Sequence, residues 1–425
     1  MSLQSTSKRP LFHVPVALHP LTTKNFGIIW AGAFLSNVGF WIQTVAQGWQ
    51  VLQLTNSALL LGLVSFFAMV PNLVLSLFGG VIADKWNRRH LLLATQTIYM
   101  ATAILPGVLT TLGVIKVWHL LLIALVNGIF SAVGFPAWQT FISDLAPDGE
   151  LKQSIALNSM QFNLSRVVGP AIGGLSIGIF GIAGSYYMNG LSYIAVILPL
   201  LLMRPEQRHY LKQAKQSIWS NLAVGLLYVK KRPVLQVALG LQLLIAFFIF
   251  PYTTLLPVFA RDIFRTGPAG LGVLNATAGI GALLGAILLV ALTERLRQPV
   301  QALLVLCLVG GTASVIFALM PAQHLALPLL IVLGVSTVMS TTLTNTAIQS
   351  STPEEVRGRV ISIWITITFG LAPCGSLLAG FAAQMYGASR TLVVGGLLCI
   401  MIAILLVLLT RTALRPTGET RIERA

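Results

Sequence analysis

Charge is what this chain lacks. Lys, Arg, Asp and Glu make up 9% of its 425 residues, against 56% hydrophobic and a mean hydropathy of +0.85. A soluble chain of this size carries roughly a quarter charged residues. With so few, it has too little polar surface to face water, so lipid must cover much of it. A membrane span needs about 20 apolar residues, and a span with its loop takes about 33, which predicts about twelve helices. The apolar runs place them at 27–52, 58–83, 91–113, 118–143, 155–180 and 184–203, then at 233–260, 268–293, 299–320, 325–350, 360–384 and 390–411. The expected architecture is an all-α membrane protein of twelve spans in two six-helix bundles.

The formal charge of +16 would suggest nucleic acid on its own, but its distribution points elsewhere. With the N-terminus cytoplasmic, 22 of the 27 Lys and Arg fall on the cytoplasmic side. Lys116, Arg261, Arg265 and Arg390 fall on the far side, and Arg166 lies inside a span. That asymmetry is the positive-inside pattern, and it predicts both termini in the cytoplasm. Anionic lipid headgroups are the expected partner of the excess charge, and no nucleic acid is expected. The first 25 residues are polar, so the first span is expected to direct insertion without a cleaved signal. Cys307, Cys374 and Cys399 sit in apolar runs and read as small buried hydrophobes.

The chain divides into a cytoplasmic segment 1–26, a first six-helix bundle 27–203, a linker 204–232, a second bundle 233–411 and a tail 412–425. In the linker, Ile218, Leu222 and Leu226 with Trp219 and Tyr228 have helical apolar spacing, which predicts an amphipathic helix on the cytoplasmic face. A shift of 206 residues lays Pro147 onto Pro353, Ile155 onto Ile361, Gly169 onto Gly375 and Gly174 onto Gly380. The halves therefore read as repeats, an arrangement in which a transporter keeps its site at the midplane. Pro353, Glu354 and Glu355 after Ser351 and Thr352 form a strong helix start.

Three features carry candidate chemistry. The hinge between spans 2 and 3 reads Gly79-Gly80-Val-Ile-Ala-Asp84-Lys-Trp-Asn-Arg88-Arg89-His. Its glycines permit close helix approach, Asp84 suits the N-terminal end of a helix in the other half, and Arg88 and Arg89 suit Asp84, Asp144 or headgroups. These residues form either a conformational latch or a purely topological charge cluster. In span 5, Gly169 and Gly173 make a small-residue packing face, Pro170 invites a bend and Gly174 follows. Arg166, on the same helix, is a charge inside a span and so a functional candidate, facing a cavity or snorkelling to the interface. Asn37, Trp41, Gln43, Gln47, Asn127, Trp138 and Gln161 from the first half, with Gln242, Asn275, Asn345 and Trp364 from the second, complete a candidate substrate cavity. Each of those amides and indoles fits an interhelical hydrogen bond as well as a ligand contact.

The hinge pattern resembles the helix 2–3 signature of the major facilitator superfamily of transporters. Arg166 to Gly174 resembles the Gly-Pro-x-x-Gly-Gly element of the superfamily's antiporters. With Leu35-Ser36-Asn37-Val38-Gly39, Trp41, Asn56-Ser57-Ala58, Gly62, Pro71, Pro251 and Pro257, the closest resemblance is to the bacterial exporters grouped with the enterobactin exporter and the macrolide efflux proteins. The resemblance implies a monomeric inner-membrane exporter of a bulky hydrophobic or anionic small molecule, a drug or siderophore, by proton antiport. Two departures stand out: Ala124 lies four residues before Gly128, where many relatives carry an Arg, and no Asp or Glu falls in mid-membrane. Asp84, Asp144 and Asp262 are the remaining proton-coupling candidates. No nucleotide-binding Gly-rich loop, metal spacing or catalytic constellation is present, so neither enzyme activity nor a cofactor is expected. A carrier working by uptake or facilitation, or a non-transporting membrane protein, are the rival readings.

Overall fold

The computed structural model describes the backbone over 16–85, 87–203, 218–292 and 298–410. Side chains are described over the same residues except 16, 17, 73, 74, 76–85, 218–223 and 355. Every described regular element is a helix. Spans 1 to 4 are Lys24–Thr55, Ala58–Lys85, Arg88–Thr111 and Val117–Leu145. The helical run Leu151–Leu202 contains spans 5 and 6, broken at Gly181, whose φ of 70° lies where an L side chain is strained. Spans 7 to 10 are Pro233–Ile263, Gly267–Leu292, Pro299–Leu319 and Gln323–Ser351. Span 11 runs from Glu354 to Tyr386, and span 12 is Ala388–Thr410. Large apolar side chains such as Ile179, Leu202, Val290 and Leu409 are more than 70% exposed, as a lipid-facing exterior requires.

The helices begin earlier than hydropathy suggested. Span 11 starts at Glu354, six residues before the apolar run at 360, because Pro353 and the acidic first turn initiate the helix in polar sequence. Span 5 likewise starts at Leu151. Spans 7 and 11 are not uniformly α-helical: Ile245–Ile249, Phe259–Ile263 and Thr366–Gly370 are π turns. Two of these stand just before Pro251 and Pro373. A proline lacks the N–H that would bond the carbonyl four residues back, and the ladder resets with wider bonds, Phe250 N–H to Ile245 at 2.9 Å and Leu371 N–H to Thr366 at 3.0 Å.

The helix Ile218–Lys230 stands in the linker region; residues 204–217 lie outside the described residues. It docks beneath the second half: Val229 packs with Leu235, Leu239, Ile348, Val360, Ile363 and Trp364. Cys307, Cys374 and Cys399 are free, the first and last fully buried.

The repeat is visible in packing. A Cβ on Gly169 would lie 2.5 Å from the Trp41 Cβ; 206 residues on, a Cβ on Gly375 would lie 2.5 Å from the Phe247 carbonyl oxygen. Gly174 of span 5 meets Gly272 of span 8, and its counterpart Gly380 of span 11 meets Gly62 of span 2. These two glycine crossings join the halves near the face opposite the terminal ends of spans 1 and 12, here called the distal face. One hydrophobic cluster, including Val45, Trp49 and Ile177 with Tyr252, Leu255 and Leu271, spans both halves there.

Candidate functional site

The terminal face carries the hinge. Asn87 caps span 3, its Oδ1 accepting from the His90 N–H at 3.2 Å. Arg88 Nη1 donates to Asp144 Oδ2 at 2.5 Å, and both side chains are largely buried. Arg89 donates from Nε and Nη2 to the Leu200 and Leu201 carbonyls, at 2.6 and 2.7 Å, where a cation suits the C-terminal end of span 6. Both arginines thus reach elements of their own half. The packing of Gly79 and Gly80 and the side chain of Asp84 lie outside the described residues, as does any contact of Asp84 with span 11.

Midway along span 5, Arg166 stands fifteen residues in, about 22 Å from the start of the helix at 1.5 Å per residue. The sequence placed it eleven residues in, because the first turn of the helix is polar. Its guanidinium carbon lies 5.8 Å from the Trp41 ring centroid, a cation–π contact. It also lies within electrostatic reach of the Tyr252 hydroxyl of span 7. Among the described residues no Asp or Glu pairs with it. Gly169, Gly173 and Gly174 bring span 5 against Trp41, Ile42 and Gly272, and Pro170 offers its carbonyl oxygen to the Gly272 side of span 8.

The structure sorts the candidate cavity residues by whether their polar atoms are already used. Gln43 accepts from Asn189 Nδ2 at 2.7 Å, and Asn127 accepts from Thr102 Oγ1 at 2.7 Å. Asn37 donates to Gln161 at 3.1 Å, and Gln161 and Trp138 both donate to Asn158, at 3.3 and 3.2 Å. Asn275 donates to the Leu271 carbonyl of its own helix, and Asn345 accepts from Gln349. Five of these seven bond to another helix, and Asn275 and Asn345 bond only within their own. Gln242 donates to Thr341 and Thr368, leaving its Oε1 without a donor. The indole N–H groups of Trp41 and Trp364 are buried without an acceptor. Gln47 is half-buried. Sequence reasoning missed Tyr252, fully buried with its hydroxyl unpartnered, because a single hydroxyl in an apolar run carries no pattern. It also missed Asn189 and Thr102, which only the fold brings to their partners.

The distal face is held by a polar clasp between the halves. Arg261 Nη1 donates to the Leu52 carbonyl at 2.7 Å and to Asn56 Oδ1 at 2.9 Å, capping the end of span 1. Gln384 Oε1 accepts from the Ala58 N–H at 2.9 Å, capping the start of span 2. Arg261 also grips Asp262 through Nε and Nη2, at 2.7 and 3.1 Å, so this carboxylate sits paired at the surface, away from mid-membrane. A pocket of about 390 Å³ opens beside the clasp, lined by residues including Asn56, Arg261, Gln384 and Arg390.

Known proteins are similar to this chain along nearly its whole length. The staphyloferrin A transporter of Staphylococcus aureus is 27% identical over 383 residues, 90% of this chain and 95% of that protein. The multidrug efflux pump Tap of Mycolicibacterium fortuitum is 27% identical over 92% of this chain and 96% of its own. The enterobactin exporter of Shigella flexneri is 27% identical over 92% and 93%. Among solved structures, the nucleoside transporter NupG matches with a TM-score of 0.73 at 14% identity, over 90% of this chain and 98% of that one. A bacterial homologue of the lysosomal transporter Spinster, inward-facing and unoccupied, matches with a TM-score of 0.68 at 15% identity, over 93% and 97%. The structural matches speak to the fold, which is the twelve-helix major facilitator fold of a multi-pass membrane transporter. The model of the transmembrane secretion effector family, MFS_3, matches residues 16–423, and the chain belongs to that family.

Proposed function

We propose that this protein is a secondary active exporter that moves a bulky hydrophobic or anionic small molecule, a drug or siderophore, out across the bacterial inner membrane. The observation that carries the reading is Arg166, midway along span 5 with no Asp or Glu paired to it among the described residues, beneath two halves that meet at the distal face. Relatives named for efflux and export support the outward direction. In this reading the terminal face is cytoplasmic, the bundles 27–203 and 233–411 rock about the glycine crossings, and the linker 204–232 joins them. The basic residues of the cytoplasmic side meet anionic headgroups, and the protein works as a monomer. Protons drive the cycle, with Asp84 and Asp144 on the cytoplasmic side and Asp262 on the distal side as the carboxylates that could exchange them. Gly79, Gly80, Asp84, Arg88, Arg89 and Asp144 act as a latch on the cytoplasmic side. The test is accumulation of antibiotics and of secreted siderophore in efflux-deficient cells, with and without an uncoupler. Lower drug accumulation, or more siderophore outside, lost on uncoupling, supports gradient-driven export. Substrate entering faster on expression would establish uptake instead.

Alternating access requires the distal clasp to break. Each bond from a charged donor contributes about 1.5–3 kcal/mol, less where water reaches it. Arg261→Ala removes two such bonds between the halves and is expected to raise the labelling rate of a cysteine at Ala383, now 7% exposed, by about tenfold. An unchanged rate would remove the clasp from the gate.

A further inference from the structure

Among the described residues the buried polar groups without a partner include acceptors such as Gln242 Oε1, but three groups on spans 1, 5 and 7 can all donate. The Trp41 indole N–H is a donor only, and it is buried without an acceptor. The Arg166 guanidinium is a cation with no carboxylate beside it among the described residues. The Tyr252 hydroxyl is fully buried, unpartnered, and within electrostatic reach of Arg166. Arg166 of span 5 meets the Trp41 ring of span 1, in the first half, and Tyr252 comes from span 7 of the other half. A cation at this depth is costly in isolation, and the Trp41 ring relieves only part of that cost. What would complete the cluster is an acceptor bearing negative charge.

We infer that the interface of spans 1, 5 and 7 recognises an anionic group on an aromatic or apolar body, through Arg166, Trp41 and Tyr252, and that it rejects lipophilic cations. The inference rests on the transporter reading and narrows its substrate to one charge class. A carboxylate or phenolate can accept from each of these donors, and Arg166 adds charge-assisted bonds. A lipophilic cation meets an unscreened like charge and offers no acceptor. A lipid phosphate has the right charge, but its headgroup stays at the interface, about 15 Å from the bilayer midplane. An anion carried into the membrane interior on a hydrophobic frame is the ligand that reaches the cluster.

Two dyes isolate the charge. Carboxyfluorescein and a rhodamine methyl ester share a xanthene frame and differ in the sign of their charge. Binding of each to the purified full chain in lipid nanodiscs is read by fluorescence anisotropy. The wild type is expected to bind carboxyfluorescein at least tenfold more tightly than the rhodamine ester. Arg166→Gln is expected to lose at least tenfold in carboxyfluorescein affinity, with Arg166→Lys keeping part of it. Tyr252→Phe, which keeps the ring and removes the hydroxyl, and Trp41→Phe, which keeps an aromatic face and removes the indole N–H, each lose a few-fold, and they carry the test where Arg166→Gln does not fold. Empty nanodiscs of the same anionic lipid give the lipid-only signal. Equal or tighter binding of the rhodamine ester, carboxyfluorescein binding unchanged across the three positions, or binding of neither dye would overturn the inference. Failure of the export reading shows separately, as unaltered accumulation of every compound in cells.

Discussion

Gly174→Val is expected to abolish transport while Gly178→Val, one helical turn along the same span, leaves it near the wild-type rate. A Cβ on Gly174 would lie 2.8 Å from the Gly272 Cα, 2.8 Å from the Pro268 carbonyl oxygen and 3.0 Å from the Gly272 nitrogen. All three neighbours are backbone, so no rotamer change relieves the clash and spans 5 and 8 must separate. A Cβ on Gly178 meets nothing within 4 Å. Overpacking in a tight interior costs about 1–3 kcal/mol, and valine against backbone belongs at the upper end. The cost falls on the distally closed state, so the variant is expected to be trapped with the distal face apart and to cycle at least tenfold more slowly. Gly380→Val tests the repeat, since its Cβ would lie 2.7 Å from the Ala58 carbonyl oxygen and 3.1 Å from the Gly62 Cα. Transport in everted vesicles, with cysteine labelling at the distal face, reads both effects. Wild-type flux in Gly174→Val would mean that the halves do not turn on these crossings.

The spans and the 206-residue repeat were legible because hydropathy and glycine spacing are local properties that lipid reads directly. The pairing of Gly169 with Trp41 and of Gly375 with Phe247 then follows from repeating one helix-to-helix register. Hydropathy alone missed helix starts in polar sequence: Pro353 and its acidic residues marked the start at Glu354, but nothing comparable marked the start of span 5 at Leu151. The π turns need knowledge of how proline resets a ladder inside a packed helix. At the site, the sequence singled out Arg166 and Trp41, which the fold brings into contact. It gave equal standing to Gln43, Asn127 and Gln161, whose amides the fold uses between helices. Separating a ligand contact from a structural bond depends on where Asn189 or Thr102 stands, and those positions are set by tertiary packing alone.

Asp144→Ala is expected to lower stability by about 3 kcal/mol, because it leaves Arg88 largely buried without the carboxylate that faces it. The estimate takes the low end of the range, since Arg88 makes a further contact. A fall in the unfolding temperature of the purified protein measures it. The polarity of the pair is informative beyond its strength. Arg88 is the first residue of span 3 and Asp144 stands in the last turn of span 4. Each charge therefore sits at the helix end where the macrodipole opposes it. The exchange Arg88→Asp with Asp144→Arg keeps the pair and places both charges favourably. On dipole grounds the exchanged protein should recover at least the stability lost in Asp144→Ala. If the pair were only a staple, transport would recover with it. We expect stability to recover and transport to stay at least tenfold down, because a pair oriented against both dipoles is held more weakly and opens more readily as the terminal face moves. Equal recovery of both would make the arrangement a fixed joint between spans 3 and 4.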